Sequence, residues 1–338
     1  MTARSKVVVT HCVHEPVRQL LAQHFEVVAN EGIETWASDK LLEQASDAEA
    51  LLVFMPDRID DAFLALCPKL RLIAGAFKGY DNIDVDACTR RGIWVTIVPD
   101  LLSQPTAELA LSLILGLARN VLPGDRLVRG GKFQGWRPRL YGRGLAGSTV
   151  GIVGMGKLGQ ALVRLLTGFS ARIIYHDPVK MSPVEEAFLG MARAELDQVL
   201  RESDFVVVMA PLTSATAHLI NADALARMKK GAYLVNVGRG SVVEEAAVSQ
   251  AISEGHLAGY AADVFEMEDW AWPDHPAAID FGLLANPEQT LFTPHLGSAV
   301  DRARLEIELS AARSIVQGLR GERPVDAIND PPAKSSKS

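Results

Sequence analysis

Cysteine is scarce in this chain, aromatic residues make up only 6% of it, and no long apolar run is present. Cys12, Cys67 and Cys88 are odd in number, widely spaced and without a C-x-x-C pair, so the sequence indicates neither a disulfide framework nor a bound metal. We expect all three to be small core residues. The longest mainly apolar run, Leu109 to Ala118, has about half the length of a membrane span and predicts a buried helix.

Positive charge is also in short supply. The 338 residues contain 34 Lys and Arg against 41 Asp and Glu, a net charge of −7, which disfavours nucleic acid and anionic membranes as partners. The polar tail from Pro331 to Ser338 is expected to be solvated. The N-terminus shows no secretory pattern, and with the unpaired cysteines this predicts a cytoplasmic protein.

Short β-branched runs alternate with amphipathic helical patterns along the chain, which predicts parallel strands joined by crossover helices. The expected fold is α/β, with two doubly wound parallel-sheet domains of Rossmann or flavodoxin-like type and an active-site cleft between them. A long helix is predicted from about Pro105 to Gly130, and a final helix from Ala299 to Arg320. Predicted strands include Lys6 to Thr10, Ala50 to Phe54, Leu70 to Ala74, Ile93 to Thr96, Thr149 to Val153, Arg172 to His176, Phe205 to Met209, Ala232 to Asn236 and Gly259 to Val264.

A glycine motif follows one predicted strand and begins a helix. The segment from Gly154 to Gly159 reads G-x-G-x-x-G, with Gly156, Lys157 and Leu158 between its ends. In this context the backbone N–H groups and the positive helix end face a pyrophosphate, which predicts a dinucleotide site.

An acidic residue follows this motif at the expected distance. Asp177 ends the next predicted strand, where its carboxylate can accept hydrogen bonds from the adenosine ribose hydroxyls and repel a 2′-phosphate. NAD is therefore the predicted cofactor. Lys180 lies close enough in sequence to leave the use of NADP open.

Three later stretches lie at strand-to-helix boundaries: residues 235–241 (VNVGRGS), 262–268 (ADVFEME) and 293–298 (TPHLGS). Together with the glycine motif, they resemble the NAD-dependent D-2-hydroxyacid dehydrogenase superfamily in order and spacing. The resemblance implies that Arg239, Glu268 and His295 are catalytic. The chemistry agrees, since His titrates near neutrality, a carboxylate can orient it, and Arg offers a planar fork for an anion.

The resemblance also implies an order of domains and a wider cofactor site. The substrate domain is expected at residues 1–101 and 295–338, around a cofactor domain at 102–294. The helix from Pro105 is expected to form a homodimer interface. Beyond the glycine motif and Asp177, the implied cofactor-binding residues are Thr106, Pro211, Leu212, Thr216, Val237, Gly238, Arg239, Asp263, His295, Gly297 and Ser298.

Several stretches look like the phosphite (phosphonate) dehydrogenase branch of this superfamily: residues 54–58, 77–82, 133–138, 263–270 and the start of the final helix. Lys78 carries most weight, because ordinary members usually have a small residue in this turn. Phosphite is a dianion, and Lys78 with Arg239 supplies two positive charges for it. Asp269 departs from the wider pattern, which commonly has proline after the catalytic Glu. The residues implied to bind substrate are Met55, Lys78, Gly79, Trp136, Tyr141, Arg239 and Arg304.

The sequence therefore predicts an enzyme that oxidises phosphite to phosphate with hydride transfer to NAD. The first alternative is a 2-hydroxyacid dehydrogenase of the glyoxylate or hydroxypyruvate reductase type. The second is a catalytically idle protein that senses NAD, although the intact trio counts against it.

Overall fold

The chain folds into two compact units. The computed structural model describes residues 4–269, 272 and 275–332. The first unit comprises Met1–Leu102 and Val300–Ser338, and the second comprises Ser103–Ala299. The chain returns to the first unit at residue 300, five residues after the predicted position, because the loop with His295 is hydrogen-bonded to Asp263 of the second unit.

The first unit contains a parallel sheet in the strand order β2-β1-β3-β4-β5. This is the flavodoxin-like order, and its switch point lies between β1 and β3. The strands are β1 Lys6–Val9, β2 Glu26–Ala29, β3 Ala50–Val53, β4 Leu72–Gly75 and β5 Trp94–Thr96. The helices are α1 Glu15–Ala22, α2 Ser38–Ala45, α3 Asp61–Ala65, α4 Val85–Arg90 and α13 Asp301–Leu319.

The second unit contains a larger parallel sheet in the order β12-β11-β10-β9-β6-β7-β8, with its switch point between β9 and β6. The strands are β6 Thr149–Val153, β7 Arg172–His176, β8 Met191–Arg193, β9 Phe205–Val208, β10 Ala232–Asn236, β11 Leu257–Ala262 and β12 Thr290–Phe292. The helices are α5 Ser103–Ala118, α6 Val121–Arg129, α7 Lys157–Leu166, α8 Pro183–Leu189, α9 Leu196–Glu202, α10 Ala222–Arg227, α11 Glu245–Ser253 and α12 Phe281–Leu284, with short 3-10 helices at Thr167–Phe169, Gly240–Val242 and Glu266–Glu268.

The central strands of both sheets are mainly apolar. Every residue of β3, β4, β6 and β9 is buried, as expected for parallel strands covered by helices on both faces. Each sheet therefore separates two apolar clusters, one on each face. The predicted fold class, two doubly wound parallel α/β sheets, is confirmed.

Three details differ from the predictions. The long helix predicted from Pro105 is two helices, α5 and α6, because Asn120 adopts the left-handed conformation (φ 53°) that bends the chain. Strands β2, β8 and β12 were not predicted, since each is a short strand at a sheet edge. Cys12 is exposed rather than in the core, whereas Cys67 and Cys88 are buried.

No single helix among the described residues is long and apolar enough to cross a membrane. Helices α5 and α6 are long and apolar enough only when they are taken together, and the chain bends by 62° between them. Of the predicted solvated tail, residues 333–338 lie outside the described part of the chain, as does Trp270 in one of the stretches that carried the family resemblance.

Candidate active site

The glycine loop, residues 154–159, connects β6 to α7 at the switch point of the second sheet. Gly154 has φ 99°, and a Cβ there would lie 2.7 Å from the backbone nitrogen of Ala210 on the neighbouring strand's extension. A Cβ on Gly159 would lie 2.6 Å from the Gly154 carbonyl oxygen. Both glycines are therefore required by close backbone packing.

The middle glycine has a different environment. Gly156 is the N-cap of α7, and a Cβ placed on it would meet no atom within 4 Å. This open space at a helix start, lined by backbone N–H groups, fits a pyrophosphate. Lys157 and Leu158 begin the helix, with Lys157 exposed and Leu158 packed against the apolar cluster beneath.

Asp177 directly follows β7 and contacts the glycine loop. Its Oδ2 accepts a hydrogen bond from the backbone N–H of Met155 (2.7 Å), and its Oδ1 accepts one from Val179 (2.8 Å). Asp177 thus holds the loop in addition to its predicted contact with the ribose, because each carboxylate oxygen can accept more than one bond.

The loop after β9 lies next to the glycine loop, since β9 and β6 are paired. The Thr216 hydroxyl donates to the Pro211 carbonyl oxygen (2.6 Å), and the Thr213 N–H donates to the Thr216 hydroxyl (2.8 Å). These bonds close a tight turn, which leaves Pro211 exposed and Leu212 partly buried at the switch point.

The loop after β10 contains Arg239. The Asn236 side chain donates to the Arg239 carbonyl oxygen (2.9 Å) and accepts from the Gly238 N–H (3.1 Å), which fixes the turn through Val237. Gly238 is in close contact with Ala210: a Cβ would lie 2.6 Å from its carbonyl oxygen. The Arg239 side chain is partly buried, and one guanidinium nitrogen donates to the Gly238 carbonyl oxygen (3.0 Å).

Glu268 and His295 form a direct pair. Glu268 Oε2 lies 2.6 Å from His295 Nδ1, and Glu268 Oε1 accepts the backbone N–H of Phe265 (2.9 Å). The short distance is typical of a charge-assisted hydrogen bond. It directs Nδ1 to the carboxylate and leaves Nε2 for a reacting group. His295 also has φ 54°, an uncommon backbone conformation that occurs often at functional sites.

Asp263 is buried behind this pair. Its Oδ1 accepts from the Thr293 hydroxyl and the Leu296 N–H (both 2.6 Å), and its Oδ2 accepts from the Gly297 N–H (2.8 Å). Burial raises the pKa of the Asp263 carboxyl, and these hydrogen bonds oppose that shift. Asp263 therefore fixes the loop of His295, and its contact with the cofactor stays a prediction.

The remaining predicted cofactor residues lie near the same loop. A Cβ on Gly297 would lie 3.0 Å from the Thr106 side chain at the start of α5 and 3.2 Å from Asp263 Oδ2. Ser298 follows Gly297 and is partly buried. Among the described residues, no group of three or more His, Cys, Asp or Glu side chains is arranged to hold a metal ion.

The predicted substrate residues of the first unit lie on three of its segments. Met55 is in the turn after β3, Lys78 and Gly79 are in the loop after the neighbouring strand β4, and all three are partly buried. Arg304 is on α13, where its guanidinium lies 5.4 Å from the centre of the Phe54 ring.

Arg304 is paired with a carboxylate. Its Nη2 lies 3.6 Å from Oε1 of the buried Glu308, and its Nη1 donates to the Ala76 carbonyl oxygen (3.3 Å). Glu308 Oε2 also contacts His14 Nδ1 at 2.8 Å, and this hydrogen bond raises the pKa of the His14 imidazole. The positive charge of Arg304 is therefore offset within the first unit.

Trp136 and Tyr141 are both 77% exposed. They lie in a segment, residues 128–144, in which every residue is exposed. It returns to the second unit where the Arg143 N–H donates to the Ala118 carbonyl oxygen (2.9 Å) at the end of α5. Neither aromatic ring belongs to the core of its own chain.

Two residues near the catalytic candidates were missed. Glu266 and Asp269 flank Glu268 and are both buried, and each accepts a backbone N–H from another segment. The sequence offered one signal, because four of the seven residues from Asp263 to Asp269 are acidic. An acidic residue so close to a catalytic carboxylate needs a partner.

The glycine loop, its open helix start and the His–Glu pair at one edge of a parallel sheet define an NAD-dependent oxidoreductase. Residues 111–297 match the model of the D-isomer specific 2-hydroxyacid dehydrogenase, NAD binding domain. The chain belongs to this family. The predicted cofactor, NAD, is confirmed.

Relatives match nearly the whole chain. The glyoxylate reductase of Pyrococcus furiosus is 39% identical, with 96% of each chain covered, and that of Thermococcus kodakarensis is 37% identical, with 99% of each covered. A Thermus thermophilus protein structure aligns with a TM-score of 0.87 at 33% identity, covering 96% of this chain and 100% of that one. The Aquifex aeolicus D-lactate dehydrogenase complexed with NAD and lactic acid aligns at 0.85 and 26%, covering 97% and 100%.

These comparisons correct one prediction. The prediction of phosphite oxidation is wrong, because relatives that are 35% to 39% identical to this chain are named glyoxylate reductase. The prediction failed because the positive charge of Lys78 was taken to indicate a phosphite dianion. A 2-keto acid carries a carboxylate and develops a second negative charge on its carbonyl oxygen as hydride adds, so two positive charges do not distinguish it from a phosphite dianion.

Proposed function

We propose that this protein is an NAD-dependent 2-hydroxyacid dehydrogenase that reduces a small 2-keto acid such as glyoxylate or hydroxypyruvate. The observation that carries the proposal is the 2.6 Å contact between His295 and Glu268, in the same unit as the glycine loop. The names of the relatives support this substrate class.

In the proposed mechanism, His295 is the general acid for reduction. Bound NADH supplies the hydride. His295 Nε2 donates its proton to the substrate's carbonyl oxygen, and Nδ1 remains hydrogen-bonded to Glu268, which stabilises the imidazolium and orients its ring. In the reverse direction the same nitrogen accepts the hydroxyl proton.

Arg239 is proposed to hold the substrate carboxylate. Its planar guanidinium offers two parallel N–H groups to a carboxylate. The backbone of its turn is fixed by Asn236, which limits the entropy lost when the substrate binds. Lys78 and Gly79 of the first unit are proposed as further anion-binding residues, through an ammonium group and a backbone N–H.

The experiment is a set of initial-rate assays with purified protein, in both directions of the reaction. Loss of NADH is measured with glyoxylate, hydroxypyruvate and pyruvate, and the reverse reaction is measured with NAD and the corresponding hydroxy acids. Saturable NADH oxidation with at least one of the keto acids is expected. Formation of NADH from phosphite with no keto-acid reduction would overturn the proposal.

We also propose that NAD is preferred to NADP because of Asp177. Its carboxylate lies at the end of β7, where a 2′-phosphate would meet negative charge. The ratio of kcat/KM for NADH and NADPH measures this preference. A ratio near one would show that Asp177 does not select between the cofactors.

The assembly is proposed to be a homodimer formed through α6 and the exposed segment. Helix α6 has no buried residue, and it exposes Val121 and Val128. Phe133, Trp136 and Tyr141 of the adjoining segment are also exposed. So many exposed apolar side chains within residues 121–141 are typical of a protein interface, and a second copy of the same chain is the commonest partner.

A further inference from the structure

The side chain of Asp269 connects two loops of the second unit. Asp269 is 3% exposed and directly follows the 3-10 helix Glu266–Glu268. Its Oδ2 accepts the backbone N–H of Ser241 at 2.6 Å. Ser241 lies 28 residues earlier, in the 3-10 helix Gly240–Val242.

Arg239 is the N-cap of the 3-10 helix Gly240–Val242. Its own side chain makes no capping hydrogen bond. The first N–H groups of a helix need an acceptor, and an ionised carboxylate is a strong one. Asp269 supplies this acceptor from another segment of the chain, so the turn that presents Arg239 depends on a residue next to Glu268.

The two loops also pack directly on each other. A Cβ on Gly240 would overlap the backbone of Phe265, so no larger residue fits between them. The Arg239 carbonyl oxygen accepts a hydrogen bond from the Asn236 side-chain amide (2.9 Å). Asn236 therefore fixes the backbone at Arg239, and Asp269 fixes the 3-10 helix that begins directly after it.

The other end of the Glu266–Asp269 turn is fixed in the same way. Glu266 Oε1 accepts the Glu245 N–H at the start of α11 (2.6 Å), and the Glu266 N–H donates to Glu245 Oε1 (2.9 Å). Glu268 lies between these two anchored residues and contacts His295. The turn thus holds Glu268 and the Arg239 loop in one rigid arrangement.

We infer that Asp269 is a positioning residue that fixes Arg239 relative to the Glu268–His295 pair. The inference deepens the proposed function and rests on it, because the position of Arg239 matters only if Arg239 binds the substrate.

Two substitutions at this position separate positioning from charge. Asp269→Ala removes the acceptor, whereas Asp269→Asn keeps one oxygen for the Ser241 N–H and loses the charge. Asp280→Ala is the matched control, because Asp280 also accepts a backbone N–H at a helix start of the same unit (Leu283, 3.2 Å). Kinetics with glyoxylate, NADH affinity from fluorescence, melting temperature and hydrogen–deuterium exchange are measured for all three.

Asp269→Ala is expected to raise KM for glyoxylate about 10- to 100-fold, as a misplacement of a binding group would. NADH affinity should stay within about twofold, since the glycine loop is untouched. Exchange should rise in the peptide that contains Ser241. Asp269→Asn should recover most of the KM effect, and Asp280→Ala should raise exchange at α12 without changing KM.

The inference is overturned if Asp269→Ala leaves KM unchanged, or if Asn is as damaging as Ala. It is also overturned if KM and NADH affinity weaken in step with the melting temperature, because that pattern describes general loosening of the unit. A parent protein that reduces no 2-keto acid refutes the proposed function instead, and the exchange data then still report whether Asp269 caps the Ser241 helix.

Discussion

Replacing Glu268 by glutamine tests the central pair of the candidate active site. The change keeps the size of the side chain and its contact with the Phe265 N–H, but it removes the charge that faces His295 Nδ1. A hydrogen bond to a charged group contributes about 1.5–3 kcal/mol. The two side chains are 34% and 29% exposed, so solvent screens the pair and the lower end of this range applies.

A loss of about 1.5–2 kcal/mol corresponds to a kcat roughly 10- to 30-fold lower for keto-acid reduction. The loss should fall on kcat and not on cofactor binding, because the Glu268 carboxylate faces the imidazole and makes no contact with the glycine loop. The assay is kcat for glyoxylate, with NADH affinity measured in parallel and expected to stay unchanged.

Glu186→Gln provides the matched control. Glu186 is a partly buried carboxylate of the same unit that accepts a 2.7 Å hydrogen bond from the Tyr175 hydroxyl. It should affect stability and leave kcat unaltered. The reasoning about the His–Glu pair is refuted if Glu268→Gln retains the parent's kcat, or if it lowers NADH affinity as much as kcat.

Three further predictions concern the cofactor loop, stability and assembly. Gly156→Ala should weaken NADH binding at least about tenfold at an unchanged melting temperature, whereas Gly159→Ala should lower the melting temperature, because only the second Cβ meets backbone. Loss of His14 by substitution with Gln should lower the melting temperature more at about pH 6 than at about pH 9, because the raised pKa of His14 gives stability that is present below the unfolded value of 6.5 and lost as pH rises through the folded value. Light scattering should give about twice the chain mass of 36.5 kDa, and Trp136→Ser with Tyr141→Ser should weaken the dimer; a parent of one chain mass at micromolar concentration contradicts the proposed interface.

Local patterns were enough to predict most of the fold. The strand Thr149–Val153 is a short apolar run that ends at glycine, and its bounds agree with the prediction. The break between α5 and α6 was not predicted, since an asparagine inside a helical pattern reveals its left-handed conformation only when later residues pack around it. Helix propensity alone would have continued the helix through Asn120.

Contacts between distant segments account for what the sequence could not supply at the site. The Asp269–Ser241 bond joins residues 28 positions apart, and no spacing rule connects them. The Arg304–Glu308 pair could have been predicted, because residues four apart on a helix lie on the same face. Glu308 was not considered when Arg304 was assigned to the substrate site, and that role of Arg304 stays a prediction.

The strained backbone of His295 shows how the loops of the second unit support one another. A left-handed conformation at a residue other than glycine costs about 1–2 kcal/mol. Here Asp263 accepts hydrogen bonds from Thr293, Leu296 and Gly297, and its own carbonyl oxygen accepts the His295 N–H at 2.8 Å. Four hydrogen bonds to one buried residue are enough to offset that cost. The backbone at His295 is therefore held by Asp263, which directly follows β11, and not only by the short loop in which His295 lies.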